Sequence, residues 1–158
     1  MKGVALRYAS SEDAAEDILQ ESFIRVFKNL KAYKDQGSLG GWIRVITVNT
    51  ALELYRKDKT REKHYNEVQL ESSNEVSEDA LKSMALEDLL KKIQALPTGY
   101  RLVFNLYAIE GYNHREIAEK LNYKEGTSKS QYARAKKLLQ KMITEEAELE
   151  KKMMKDAR

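Results

Sequence analysis

From Ser11 to Lys31 the residues Ala15, Ile18, Leu19, Ser22, Phe23, Val26, Phe27 and Leu30 recur at three- and four-residue spacing. That period predicts an amphipathic helix with one mostly apolar face turned to a core. Ser10 or Ser11 can cap its start. Glu12, Asp13, Glu16 and Asp17 set negative charge at the positive helix end, with Arg25, Lys28 and Lys31 toward the other. Gly3 to Tyr8 reads as the remnant of an earlier helix. Tyr33 to Gly41 break the period with a polar, glycine-containing loop. A second helix is predicted from Trp42 to Arg56, with Trp42, Val45, Ile46, Leu52 and Tyr55 on its apolar stripe. Asn49 falls on that stripe, where an amide needs hydrogen-bond partners or a solvent-filled pocket.

Lys57 to Asp79 are polar, without a sustained period, and read as a flexible linker whose first part continues the preceding helix. The period resumes from Leu81 to Ala95, ahead of Pro97. Gly99 to Ile109 form another helix with Val103, Phe104 and Leu106 as core residues, stopped by Gly111. Asn113 and Glu116 have capping-box spacing, which starts a short helix running through Leu121. Asn122 tolerates the left-handed backbone of a tight turn, and a last helix runs from Gly126 or Thr127 to about Ile143. The expected fold is all-α: a helical domain at 1–60, a linker at 61–80, a second domain at 81–145 and a charged tail at 146–158. The arrangement of the two domains is open at this level, as is whether the tail extends the last helix or frays.

Charge sharpens the picture. The 158 residues carry 28 basic and 25 acidic groups, a formal charge of +3. Within that balance, residues 86–144 hold 11 basic and 6 acidic groups, behind a strip at 63–85 with 2 and 5. A basic C-terminal half suits a polyanionic partner. There is no cysteine, which removes disulfides and thiolate metal sites and agrees with a reducing compartment. No apolar run reaches membrane-span length and no signal-peptide pattern opens the chain, so a cytoplasmic protein without membrane insertion is expected. The two histidines, His64 and His114, fall in the linker and a helix cap, with no metal-ligand or triad spacing around them. No enzyme, cofactor or metal site is expected.

Two short helices about a tight turn, the second basic, describe a helix-turn-helix. In the first, Ile117, Ala118 and Leu121 face inward; in the second, Tyr132, Ala135, Leu139 and Met142 share the inner face. Ser130, Arg134, Lys137 and Lys141 lie opposite, flanked by Lys129 and Lys136. Such a helix suits the DNA major groove, while Thr127 and the first-turn amides suit a phosphate.

The residues Leu96-Pro97, Tyr100-Arg101, Val103-Phe104, Glu110-Gly111, Glu116-Ile117-Ala118, Gly126-Thr127, Lys129-Ser130 and Arg134-Ala135 resemble domain four of extracytoplasmic-function (ECF) sigma factors. Independently, Ala15-Glu16-Asp17-Ile18, Gln20-Glu21, Phe23, Gly41-Trp42-Ile43 and Asn49-Thr50-Ala51 resemble domain two of that family. Two motif sets in the right order are far more specific than either alone. The resemblance implies a subunit that binds core RNA polymerase, through the beta-prime clamp coiled coil and the beta flap, and directs it to promoter DNA. It places Asp17, Gln20 and Glu21 on the polymerase. It puts Tyr33 and Asn49 at the minus-ten element, as pocket aromatic and base-reading amide, and Lys129, Ser130, Ala133 and Arg134 at the minus-thirty-five bases. Arg115, Thr127, Lys136 and Lys137 become phosphate contacts, Trp42 a core residue, and an anti-sigma factor a further partner.

Three departures stand out. The chain opens inside what resembles the first helices of domain two, Ser128 replaces the common valine, and Lys124 replaces a polar cap. The rival readings are a stand-alone helix-turn-helix regulator, which needs no Gln20-Glu21 or Asn49-Thr50-Ala51 set, and a helical interaction module that ignores DNA.

Overall fold

The computed structural model describes residues 1–34, 37–61 and 86–156, and among these the chain is helical, without a strand. Part of the expected linker, the start of the helix expected from Leu81, and His64 lie outside the described residues. The first helix, α1 (Lys2–Tyr8), is more than a remnant, because Ala5 and Tyr8 are buried in the core. Ser11 settles the choice of cap for α2 (Glu12–Asn29), accepting a hydrogen bond from the Ala14 amide at 3.2 Å. Ala15, Ile18, Ser22 and Val26 form its buried row.

Phe23, Phe27 and Leu30 correct the sequence reading: they are exposed, Phe27 by 72%. Val26, at the same end of the helix, is buried, so these three lie at the side of the arc rather than beyond its covered length. The helix α3 (Leu39–Arg61) starts earlier and ends later than its stripe suggested. Its buried row is Thr47, Val48, Ala51 and Leu52, whereas Val45 is exposed and Trp42 half-buried. The rotation follows from packing on two sides, since α3 meets both α2 and, further on, α6. Thr47 and Thr50 satisfy their buried hydroxyls on the carbonyls four residues earlier, Ile43 and Ile46.

In the C-terminal half, α4 (Leu86–Ala95) stops before Pro97, and buried Arg101 caps it by donating to the Gln94 and Leu96 carbonyls. Burial holds that guanidinium below its usual range. The helix α5 (Thr98–Phe104) widens into a π turn at Asn105–Ile109, then turns at Gly111 with φ +78°. After α6 (His114–Leu121), α7 runs from Glu125 to Asp156, so the charged tail extends the last helix. Lys141–Glu145 and Lys92–Glu146 ion pairs lie along that extension.

The two halves are docked. One apolar cluster joins Ala5, Tyr8, Ile18, Val48 and Leu52 to Leu102, Val103, Leu106, Ile117 and Leu121. Polar contacts surround it. The Asn105 amide donates to the Arg7 carbonyl at 2.7 Å, the Gln94 amide donates to the Leu6 carbonyl at 3.0 Å, and the Tyr55 and Tyr123 hydroxyls meet at 2.7 Å. Glu110 accepts two hydrogen bonds from Arg44, at 2.9 and 3.0 Å, with Arg7 at 3.6 Å.

Candidate nucleic-acid interface

Local chemistry builds the helix-turn-helix almost residue by residue. The Asn113 side chain accepts from the Glu116 amide at 3.0 Å, and the Glu116 carboxylate accepts from the Asn113 amide at 2.8 Å. This closed capping box fixes the start of α6. Asn122 ends it at φ 55°, in the left-handed region that an asparagine tolerates. The Tyr123 amide returns to the Ala118 carbonyl at 2.8 Å, and Lys124 offers its carbonyl to the Thr127 and Ser128 amides, beginning α7. A backbone carbonyl thus serves here without a short polar side chain at position 124.

On α7, Ser128, Ala135 and Leu139 are buried while Lys129, Ser130, Ala133 and Arg134 are all exposed, so the four expected base-contact residues share an open face. The Ser130 hydroxyl donates to the Thr127 carbonyl at 3.0 Å and still has its lone pairs free to accept. Lys129 is paired with Glu125 at 2.7 Å, which holds the Glu125 carboxyl below the usual carboxylate range. Arg115 pairs loosely with Glu119 at 3.5 Å, and Lys136 lies 5.0 Å over the Tyr132 ring. Thr127 and Lys137 are half-buried. Arg115 and Thr127 stand in the first turns of α6 and α7, and Lys136 and Lys137 lie about three turns along α7.

A second polar locus forms at the start of α3. The Tyr33 ring packs against Trp42 at 5.3 Å, and its hydroxyl donates to the Gly37 carbonyl at 2.7 Å. Ser38 caps α3 by accepting from the Gly41 amide at 2.9 Å. Asn49, two turns on, is half-buried, and among the described residues its side chain makes no hydrogen bond.

The third locus is the outer face of α2. Asp17 and Gln20 are exposed there, while Glu21 accepts from Arg25 at 2.8 Å, and Arg25 also reaches Glu53 at 2.7 Å. That pairing draws the Glu21 carboxyl down. Ile24 and Phe27 are exposed, and at 100° per residue they lie beside Asp17, Gln20 and Glu21. The sequence reading missed Ile24 and assigned Phe27 to the core. Ile24 and Phe27 therefore put exposed apolar surface on the same side of α2 as these acidic groups.

Sequence reasoning also missed what Ser128 does. The spacing of Ser128, Tyr132, Ala135 and Leu139 aims the serine inward, and an inward hydroxyl requires a partner. The partner is His114, whose Nδ1 lies 3.0 Å from the Ser128 hydroxyl.

The capped helix pair and its basic outer face define an all-helical protein of the helix-turn-helix class. Residues 1–61 match the family described as sigma-70 region 2, and residues 86–139 match sigma-70 region 4. The chain is 32% identical over 143 residues to the ECF RNA polymerase sigma factor SigE of Mycolicibacterium smegmatis, covering 86% of this chain and 54% of that protein. It is 31% identical to the ECF RNA polymerase sigma factor SigW of Bacillus subtilis, covering 82% and 75%. The fold is similar to that of the sigma factor RpoE of Bartonella quintana, solved in complex with the anti-sigma factor NepR. There the TM-score is 0.55 at 23% identity, over 90% of this chain and 89% of that one. The chain belongs to the ECF family of RNA polymerase sigma factors. It spans about half the length of the first relative and three quarters of the second.

Proposed function

We propose that this chain binds core RNA polymerase and directs it to promoters, as an initiation factor with no catalytic step of its own. The observation that carries the reading is the coexistence, in one chain and in order, of a region 2 unit and a region 4 unit. In this reading Asp17, Gln20 and Glu21, joined by Ile24 and Phe27, dock on the beta-prime clamp coiled coil. Asn49 reads a minus-ten base, with donor and acceptor on one amide, and Tyr33 offers a ring for stacking. Lys129, Ser130, Ala133 and Arg134 read the minus-thirty-five bases, the alanine methyl suiting a thymine, and Arg115, Thr127, Lys136 and Lys137 hold phosphates. The region 4 unit also meets the beta flap. The working boundaries are residues 1–60, 61–80, 81–145 and 146–158, and the setting is cytoplasmic, where polymerase resides. No metal site is part of the reading; among the described residues no cluster of three or more suitable ligands occurs. An anti-sigma factor is a further partner, since the Bartonella neighbour was solved with one.

Transcription in vitro tests this directly. The chain is added to sigma-free core polymerase with a library of promoter fragments. Selective transcripts, lost with Asn49→Ala and weakened by Arg134→Ala, are expected. Binding to DNA with no association with core and no transcripts would refute the polymerase role and favour a stand-alone regulator.

A further inference from the structure

Ser128 is fully buried at 0% exposure, in the first turns of the helix that carries the reading face. Its hydroxyl meets Nδ1 of His114, the first residue of α6, at 3.0 Å. The imidazole is stacked on Tyr107, with centroids 4.4 Å apart and planes at 16°, and is tilted against Tyr132 at 5.8 Å. One ring is therefore gripped by the π turn before α6, by α6 itself and by α7. In a helix-turn-helix the first helix crosses the DNA backbone while the second enters the groove. His114 joins the start of α6 to the first turns of α7. We propose that His114, braced by Ser128, is a positioning residue of the helix-turn-helix and that its protonation tightens the chain's hold on DNA. This rests on the DNA-reading role assigned above.

The brace survives a change of charge. Neutral Nδ1 accepts from the Ser128 hydroxyl, and protonated Nδ1–H donates to the same oxygen. Around the ring stand Lys129 and Glu125, the phenols of Tyr107 and Tyr132, and Lys136 over the Tyr132 ring, with Arg115 acting on Glu125. In the free chain, burial and then Lys129 hold the imidazole below its ordinary value of 6.5, with Glu125 opposing. A DNA phosphate at this corner reverses that balance, because it favours the cation. Binding then takes up a proton, and affinity rises as pH falls through the imidazole's range.

The experiment uses the full chain and a duplex enriched on it from random sequence. Affinity is measured by fluorescence anisotropy between about pH 8 and pH 5.5, with the fold checked by circular dichroism at each point. Affinity should rise toward low pH by about tenfold for each unit that DNA adds to the His114 midpoint. His114→Gln should remove the rise, and His64→Gln should leave it. Ser128→Val, which keeps a buried side chain at the site, should shrink the rise and weaken binding at every pH. Imidazole NMR signals, assigned from the two single variants, should show the His114 midpoint moving up when DNA is added. A midpoint unmoved by DNA, or a rise that persists in His114→Gln, overturns the proposal while leaving DNA reading intact. Failure to enrich any duplex overturns the proposal, whereas the polymerase-directed reading stands or falls on the transcription assay.

Discussion

Glu110 bears on how the two halves hold together. Its side chain is 10% exposed and accepts two hydrogen bonds from Arg44, with Arg7 at 3.6 Å. Glu110→Gln keeps the shape and removes the charge, leaving two guanidiniums facing an amide. A fully buried pair broken this way costs about 3–5 kcal/mol, but the Arg44 and Arg7 side chains are 40% and 22% exposed, so solvent screens part of the loss. The range for hydrogen bonds to charged groups, about 1.5–3 kcal/mol, is then the better guide. At about 2–4 °C per kcal/mol for a chain of this size, the melting temperature should fall by about 3–12 °C. Thermal melts of wild type, Glu110→Gln, Arg44→Met and the double variant give the coupling. The reasoning requires a coupling of at least about 0.5 kcal/mol, the lower end seen for residues in one network. A value near zero, with each single variant within about 0.5 kcal/mol of wild type, would mean that the carboxylate does not hold the halves together.

Leu106 is fully buried in the cluster shared by both halves, and Leu106→Ala should cost about 2–5 kcal/mol in chemical denaturation. Phe27→Glu should leave the melt within about 0.5 kcal/mol, because the ring is already exposed, yet lower the amount of core polymerase retained in a pulldown. Retention equal to wild type would remove Phe27 from the docking face. Lys137→Ala should weaken binding evenly across DNA sequences and reduce the slope of log affinity against log salt by about 1. An unchanged slope would take Lys137 off the phosphate backbone.

The features legible in the sequence are those decided within a few residues. The Asn113–Glu116 box, the left-handed Asn122, the stop at Pro97 and the outward Ser130 and Arg134 each follow from local spacing, whereas Ala133 was named only by the resemblance. Periodicity was less informative about which part of a stripe is covered. The apolar arc of α2 extends to Phe23, Phe27 and Leu30, but only the side through Ile18, Ser22 and Val26 is covered by its neighbours, a tertiary fact. Likewise Asn105 holding the Arg7 carbonyl, 98 positions away, and Glu110 holding Arg44, 66 away, leave no local trace. The tail gave no apolar period to read, because its helix is supported instead by pairs such as Lys141–Glu145. His114 and Ser128, 14 residues apart, become neighbours only once the turn between their helices is made.

The core shared by the two halves sets a limit on reach. The longest element, the 32-residue α7, is about 48 Å long. The two promoter elements, named for positions about 25 base pairs apart, are separated by about 85 Å along a duplex at about 3.4 Å per base pair. In the proposed promoter role the docked chain is too short to touch both, and engaging them together would require Val48 and Leu52 to part from the Leu106 and Ile117 side of the cluster. Apparent affinity for the pair is then the intrinsic affinity scaled by the fraction of molecules already apart. Substitutions that strengthen the docked form should make a more stable protein and a weaker initiation factor.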